Sequence, residues 1–200
     1  MEREDLPMFV LPPTTIHTPR LRLRPLEPDD APALYAFWRL PEVMEHMAFE
    51  PLRSPAQAAA VVDFFIHLPE KQEGSRFAIV ERTSAQLIGT CGFHEASVKH
   101  RRVELGYELS PEAQGKGFMT EALQHILPWC FDVMMAHRVE AFVHPFNDRS
   151  TRVLERIGFT REGTLRGYFQ ARGQAHDEVV WSMLSTDPRP FAIANRSAGM

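Results

Sequence analysis

VELGYELSPEAQGKGFMTEA, residues 103–122, is the most informative stretch of this chain. The segment up to Leu109 has the pattern of a strand, and a Ser-Pro pair ends it. Gly115 and Gly117 then precede a helical pattern, and glycines let the backbone come close to a ligand. Unpaired N–H groups at a helix N-terminus attract an anion, and Lys116 adds a positive charge beside them. The stretch therefore predicts a phosphate or pyrophosphate site between a strand and a helix.

Two common nucleotide-binding loops do not match this stretch. A Walker A loop requires G-x-x-x-x-G-K-[ST], but Gly117 follows Lys116 and Ser110 takes the place of the first glycine. A dinucleotide fingerprint requires G-x-G-x-x-G, but Thr120 stands at its third glycine position, and the parallel strand–helix–strand setting is missing. The phosphate ligand is therefore expected to belong to another class.

Composition bounds the remaining possibilities. The chain has 200 residues, of which 44% are hydrophobic and 24% charged, as in ordinary globular proteins. A net charge of −4 gives no sign of the extended positive surface that binds nucleic acid. No apolar run is long enough to span a membrane. Two cysteines, Cys91 and Cys130, are too few for a disulfide framework. We expect a cytoplasmic protein with neither nucleic acid nor a membrane as partner.

The pattern of apolar residues predicts a single domain at residues 18–186, with tails at 1–17 and 187–200. Strands and helices are expected in the order β-α-α-β-β-β-α-β-α-β-β. The three consecutive strands, Phe77–Glu81, Gln86–His94 and Val103–Leu109, are predicted to form an antiparallel meander. The fold class is α/β, with a mixed, mostly antiparallel sheet of about seven strands flanked by helices.

Several motifs resemble one known superfamily. Gln114-x-x-Gly117 before a helix is similar to the Q/R-x-x-G-x-G/A loop that binds the acyl-CoA pyrophosphate in GNAT acetyltransferases. Residues 103–123 as a whole resemble the branch of ribosomal-protein N-terminal acetyltransferases that contains RimJ and RimL. So do TPRLRLRPLEPDD, HRVEAFVHPFNDRSTRVLERIGF and HDEVVWSML. The resemblance covers about residues 18–186. Met119 departs from the general pattern, which has Gly or Ala there.

The resemblance implies a GNAT fold, acetyl-CoA as donor and a primary amine as acceptor. The amine attacks the thioester directly in a ternary complex. The implied acetyl-CoA-binding residues are the strand end at Leu109 for the pantetheine arm, Asn147 for the same arm, and the pyrophosphate-binding segment Gln114, Gly115, Lys116, Gly117, Phe118, Met119 and Thr120. Asn147 is also a suitable N-cap for the helix that follows, and the two roles are compatible.

The resemblance also suggests two catalytic residues. Glu104 occupies the position of the family's general base, and Glu108 is a rival on the same face of the strand. Many family members have a tyrosine as acid where this chain has Leu154, and Ser150 is the substitute expected to hydrogen-bond the leaving thiolate. No histidine or cysteine spacing predicts a metal site.

The acceptor is less defined than the donor. An α-amine with a pKa near 8 is easier to deprotonate at neutral pH than a lysine near 10.4, so a weak base suits a protein N-terminus. A polyamine, an aminoglycoside or another small amine is the alternative acceptor, and a non-catalytic acyl-CoA sensor is the alternative to an enzyme. The sequence leaves the oligomeric state open, with a homodimer as one candidate.

Overall fold

The computed structural model describes residues 8–47, 50–171 and 173–190. Its strands are β1 (Ile16–His17), β2 (Leu21–Pro25), β3 (Ser75–Glu81), β4 (Leu87–Ser97), β5 (Arg102–Leu109), β6 (Arg138–Val143), β7 (Thr160–Ala171) and β8 (Gln174–Leu184). The α-helices are α1 (Ala31–Trp38), α2 (Pro41–Met44), α3 (Pro55–His67), α4 (Phe118–Asp132) and α5 (Asp148–Ile157). None of the helices in these ranges is long and apolar enough to cross a membrane.

The strands form one mixed sheet in the order β1-β2-β3-β4-β5-β6-β8-β7. All neighbouring pairs are antiparallel except β5 and β6. The predicted fold class is therefore confirmed, including the antiparallel meander of β3, β4 and β5. The sequence did not predict the two-residue β1 or the short α2.

The single parallel pair opens the sheet. β5 and β6 are paired only from Arg102 opposite Arg138 to Glu104 opposite Glu140. Beyond that point β6 continues beside β8, while β5 continues beside β4. The edge of β5 from Leu105 to Leu109 therefore has no strand partner on the β6 side among the described residues. We call this divergence the β5–β6 split.

Each face of the sheet is covered by its own helices. α4 packs on one face with a stripe of fully buried side chains at helical spacing, Leu123, Ile126, Leu127 and Cys130. α1, α2 and α3 cover the other face in a second cluster that contains Trp38 and Val62. The β5–β6 split thus lies between two well-packed layers.

The segments predicted as tails contact the domain where the structure describes them. Met8 and Val10 are buried in the core, and the Phe9 N–H donates to the Met134 carbonyl at 3.1 Å. At the other end, Arg189 forms an ion pair with Asp132 at 3.1 Å. Residues 1–7 and 191–200 of the two predicted tails lie outside the described residues, and the domain limits stay a prediction.

Candidate active site

The glycine loop has the backbone that an anion site requires. Gly115 and Gly117 have φ angles of 74° and 78°, a region that residues with a Cβ rarely adopt. α4 begins directly afterwards, and its first internal bond runs from the Glu121 N–H to the Gly117 carbonyl at 3.1 Å. The N–H groups of Phe118, Met119 and Thr120, in the first turn of α4, come before that bond and are available to a ligand. A Cβ built at Gly115 meets nothing within 4 Å, so the loop borders open space.

Gln114 has a different part in this loop from the one expected. Its backbone N–H already donates to the Pro111 carbonyl at 3.2 Å. Its side-chain amide donates to the Leu109 carbonyl at 3.1 Å and accepts from Arg149. Gln114 therefore ties the end of β5 to α5, which leaves the N–H groups from Gly115 onward as the candidate phosphate donors.

Arg20 supports the loop from outside, and the sequence reasoning missed it. Its guanidinium donates to the Lys116 carbonyl at 2.9 Å and to the Glu121 carboxylate at 2.6 Å. It also lies 4.5 Å from the centre of the Phe118 ring. These partners are about a hundred residues away along the chain, so the alternating Arg-Leu pattern around Arg20 carried no sign of them.

A cavity of about 1040 Å³ opens beside the β5–β6 split. Glu104, Gly106 and Tyr107 of β5 line it, together with residues 141–143 of β6 and His144 directly after that strand. Its wall also includes Asn147 and Ser150, so predicted catalytic and cofactor-binding residues share one space. We call this space the central cavity.

Glu104 faces the central cavity with a perturbed carboxyl group. Its side chain is 27% exposed. Burial raises its pKa to about 7, the negative charges of Glu95, Glu140 and Glu178 add to this effect, and Arg102 opposes it. A carboxyl group with this pKa exchanges a proton readily near neutral pH, as a general base must.

His94 is a basic neighbour of Glu104, with 3.8 Å between its Nε2 and a carboxylate oxygen. Burial and the neighbouring Arg76 lower the pKa of His94 to about 4. The imidazole is therefore neutral when Glu104 titrates, and it does not hold the carboxylate in an ion pair. This leaves the Glu104 carboxyl group free to accept a proton.

Glu108, the other candidate base, is fully engaged in contacts within the sheet and with α1. Its buried carboxylate pairs with Arg76 and accepts hydrogen bonds from Thr90 Oγ1 at 2.5 Å and Trp38 Nε1 at 3.2 Å. Both carboxylate oxygens have partners, and Glu108 does not line the central cavity. Of the two candidates, only Glu104 faces the space where a substrate can bind.

Asn147 and Ser150 lie at the start of α5. The Asn147 Oδ1 accepts from the Ser150 N–H at 3.1 Å, which is the cap that an asparagine makes. The Ser150 hydroxyl lies 2.5 Å from the Tyr107 hydroxyl. Leu154, which stands where the resemblance implies a tyrosine, is fully buried in the core. The sequence reasoning missed Tyr107, although its polar group stands in the otherwise apolar series of Val103, Leu105 and Leu109.

Three histidine rings gather at the edge of the central cavity. The ring of His144 lies 5.0 Å from that of His46 and 5.6 Å from that of His176. Burial lowers the pKa of His144, and the two neighbouring rings lower it further. Within the described ranges no group of three or more His, Cys, Asp or Glu side chains is placed to hold a metal ion.

Comparisons with known proteins agree with this geometry. Residues 20–160 match the family model of the acetyltransferase (GNAT) domain. The chain is 35% identical to the uncharacterized N-acetyltransferase p20 of Bacillus licheniformis, over 86% of this chain and 97% of that protein. It is 27% identical to the spermidine N(1)-acetyltransferase of Escherichia coli K12, over 80% and 83% of the two chains.

Solved structures show the same fold. The complex of RimL, ribosomal L7/L12 alpha-N-protein acetyltransferase, with coenzyme A superimposes with a TM-score of 0.79. It covers 86% of this chain and 98% of the other at 20% identity. The glycine loop before α4, the β5–β6 split and the family match lead to one conclusion: the chain belongs to the GNAT acetyltransferase family and is an acetyl-CoA-dependent N-acetyltransferase.

Proposed function

We propose that this enzyme acetylates the α-amine of a protein or peptide N-terminus, with Glu104 as general base. The observation that carries the proposal is the Glu104 carboxyl group, with its pKa of about 7, on the wall of the central cavity. An acceptor amine must lose a proton to act as a nucleophile, and Glu104 is the group in position to take it.

The same proposal assigns the acetyl-CoA site to the side of the β5–β6 split opposite Glu104. The cosubstrate supplies an acetyl group activated as a thioester. Lys116 and the N–H groups from Gly115 to Thr120 bind its pyrophosphate, because they combine positive charge with unpaired donors. The unpaired edge of β5 up to Leu109 binds the pantetheine arm, and the Asn147 side-chain NH₂ donates to the same arm.

The pKa of the base favours an α-amine. Deprotonating an α-amine of pKa near 8 at pH 7 costs about 1.4 kcal/mol, whereas a lysine amine near 10.4 costs over 4 kcal/mol. A carboxylate of pKa about 7 is matched to the first task. The physical match between base and substrate therefore points to a protein N-terminus.

A small polyamine is the second candidate acceptor, and the charge of the cavity wall favours it. Among the residues that the structure describes, one arginine, Arg102, lines the central cavity together with six glutamates, Glu45, Glu50, Glu73, Glu95, Glu104 and Glu178. A wall of this sign attracts cations and concentrates them. The relationship to a spermidine N(1)-acetyltransferase supports the same candidate.

An acceptor screen that measures release of the CoA thiol separates the two candidates. The panel contains peptides with a free N-terminus, the same peptides with a formylated N-terminus, spermidine, and a lysine derivative with a blocked α-amine. We expect turnover with the free peptides and a loss of turnover upon formylation. Turnover with spermidine and with none of the peptides would identify a polyamine, instead of an N-terminal α-amine, as the acceptor.

A further inference from the structure

Tyr107 and Ser150 form a polar contact across the β5–β6 split. Their hydroxyl oxygens are 2.5 Å apart, so one hydroxyl donates to the other. Tyr107 is three positions after Glu104 on β5, and strand alternation therefore places the two side chains on opposite faces of the sheet. Tyr107 packs against the core that contains α4 and α5. The attacking amine and the Tyr107–Ser150 pair thus lie on opposite sides of β5.

The surroundings of the pair determine which hydroxyl donates. Burial raises the pKa of Tyr107 well above its usual value, so this hydroxyl keeps its proton. Its other contact, with the Ser150 carbonyl at 3.5 Å, is long. A neutral phenol is a better donor than an aliphatic hydroxyl, and Ser150 has a free lone pair to accept it. When Tyr107 donates, the Ser150 hydroxyl can donate its own proton to another acceptor.

Ser150 is also held at a position that favours negative charge. Asn147 caps α5 and fixes the Ser150 N–H, which places Ser150 in the first turn of a ten-residue helix. The positive end of the helix dipole stabilises an anion there. Both residues line the central cavity beside the unpaired edge of β5.

We propose that Tyr107 is a positioning residue for the departing sulfur: it donates to Ser150 Oγ, so that the Ser150 hydroxyl donates to the thiolate. This inference rests on the proposed function. Glu104 takes the ammonium proton and passes it to solvent. The neutral amine then attacks: the C–N bond forms and the C–S bond breaks, the electron pair of the broken bond goes to sulfur, and the proton that the nitrogen loses on becoming an amide goes to Glu104. Tyr107 of β5 thereby influences the sulfur through Ser150, in a chain that has Leu154 in α5.

The direct test uses CoA and no acceptor. The thiolate absorbance of bound CoA is followed against pH for the wild type, Tyr107→Phe, Ser150→Ala and the double variant, with desulfo-CoA complexes as blanks. In the wild type we expect the pKa of the bound thiol to lie below that of free CoA. In Tyr107→Phe this pKa should rise part of the way back to the value of free CoA. In Ser150→Ala and in the double variant it should rise the whole way. Tyr35→Phe, on α1, is the matched control and should titrate as the wild type.

Kinetics provide a second measurement. A hydrogen bond to a charged group is worth about 10-fold to 100-fold in rate, so we expect kcat to fall by about 10-fold in Tyr107→Phe, with the KM for acetyl-CoA changed less than about twofold. The double variant should be no slower than Ser150→Ala.

Either of two results would overturn the inference: equal thiol titrations in the wild type and Tyr107→Phe, or additive losses in the double variant. A wild type that binds CoA but acetylates no amine would instead count against the proposed function, and the titration would still decide the role of Tyr107.

Discussion

Glu104 and Glu108 lie on the same face of one strand, but their surroundings are opposite. Glu104 borders the central cavity with a carboxyl group that is 27% exposed and has a pKa of about 7. Glu108 is 5% exposed and is held by Arg76, Thr90 and Trp38. The helices α1 and α3 cover the sheet at Glu108, whereas the cavity begins at Glu104.

This difference shows that two carboxylates on one strand can suit different tasks, one stabilising the fold and the other taking up protons. A carboxylate with an arginine and two further donors is stabilised in its charged form and has no oxygen left for a substrate. Glu104 lies among other glutamates and has no cationic hydrogen-bond partner among the described residues, so its charged form is destabilised and it takes up protons near neutral pH. We therefore expect substitutions at the two sites to affect different measurements.

The largest effect is expected for the activity of Glu104→Gln. Because the variant cannot take the amine proton, kcat/KM in the thiol-release assay should fall by about 10²-fold to 10⁴-fold. Asp29→Asn, on the surface, is the control and should keep full activity. Unchanged activity in Glu104→Gln would exclude Glu104 as the base.

The same variant, Glu104→Gln, should lose activity but gain stability at high pH. The pKa of Glu104 is raised from 4.5 to about 7 in the folded protein, so its contribution to stability is present below pH 4.5 and is lost as the pH rises through 7. At pH 8 Glu104→Gln should be more stable than the wild type by roughly 1 to 3 kcal/mol, and at pH 4 the two should be equal. Urea unfolding at the two pH values measures this difference.

Glu108→Ala should show the opposite result in urea. Removing Glu108 leaves the Arg76 guanidinium buried without its carboxylate, so the free energy of unfolding should fall by about 3 to 5 kcal/mol. The double variant Arg76→Met/Glu108→Leu, which removes both charges, should recover most of this loss. A loss below about 1 kcal/mol in Glu108→Ala would mean that the pair does not stabilise the fold.

The smallest expected effect concerns the pH profile. The rate should rise with pH through about 7 as Glu104 loses its proton. Burial is the main cause of this pKa, and the charge of Glu178 is a lesser one, so Glu178→Gln should move the rising limb to lower pH by less than about one unit. Glu42→Gln, exposed on α2, is the matched control and should leave the profile in place. A shift to higher pH would contradict the proposed electrostatics.

Local patterns were sufficient to predict the major strands and helices and the glycine loop. The alternation before Leu109, the Ser-Pro break and the glycines before α4 are consequences of backbone geometry, which neighbouring residues control. The order of the major elements and the meander of β3 to β5 followed from the same signals. Those signals could not show that the N–H of Gln114 is already bonded to Pro111.

The roles of individual side chains depended on contacts that are distant in sequence. Strand periodicity placed Glu104 and Glu108 on one face. Only the assembled sheet, with β4 paired between β3 and β5 and α1 packed on it, brought Arg76 and Trp38 to Glu108. Tyr107 meets Ser150 because α5 starts beside the β5–β6 split, 43 residues further along the chain.

The sequence by itself determined the order of the major strands and helices, the position of the glycine loop and the family, because backbone preferences and short motifs act over a few residues. The tertiary structure decided which glutamate stays free to accept a proton and which tyrosine reaches Ser150. Burial and charge pairing are properties of neighbours in space, and they set the pKa and the availability of each group only once the sheet and its two helical layers have assembled.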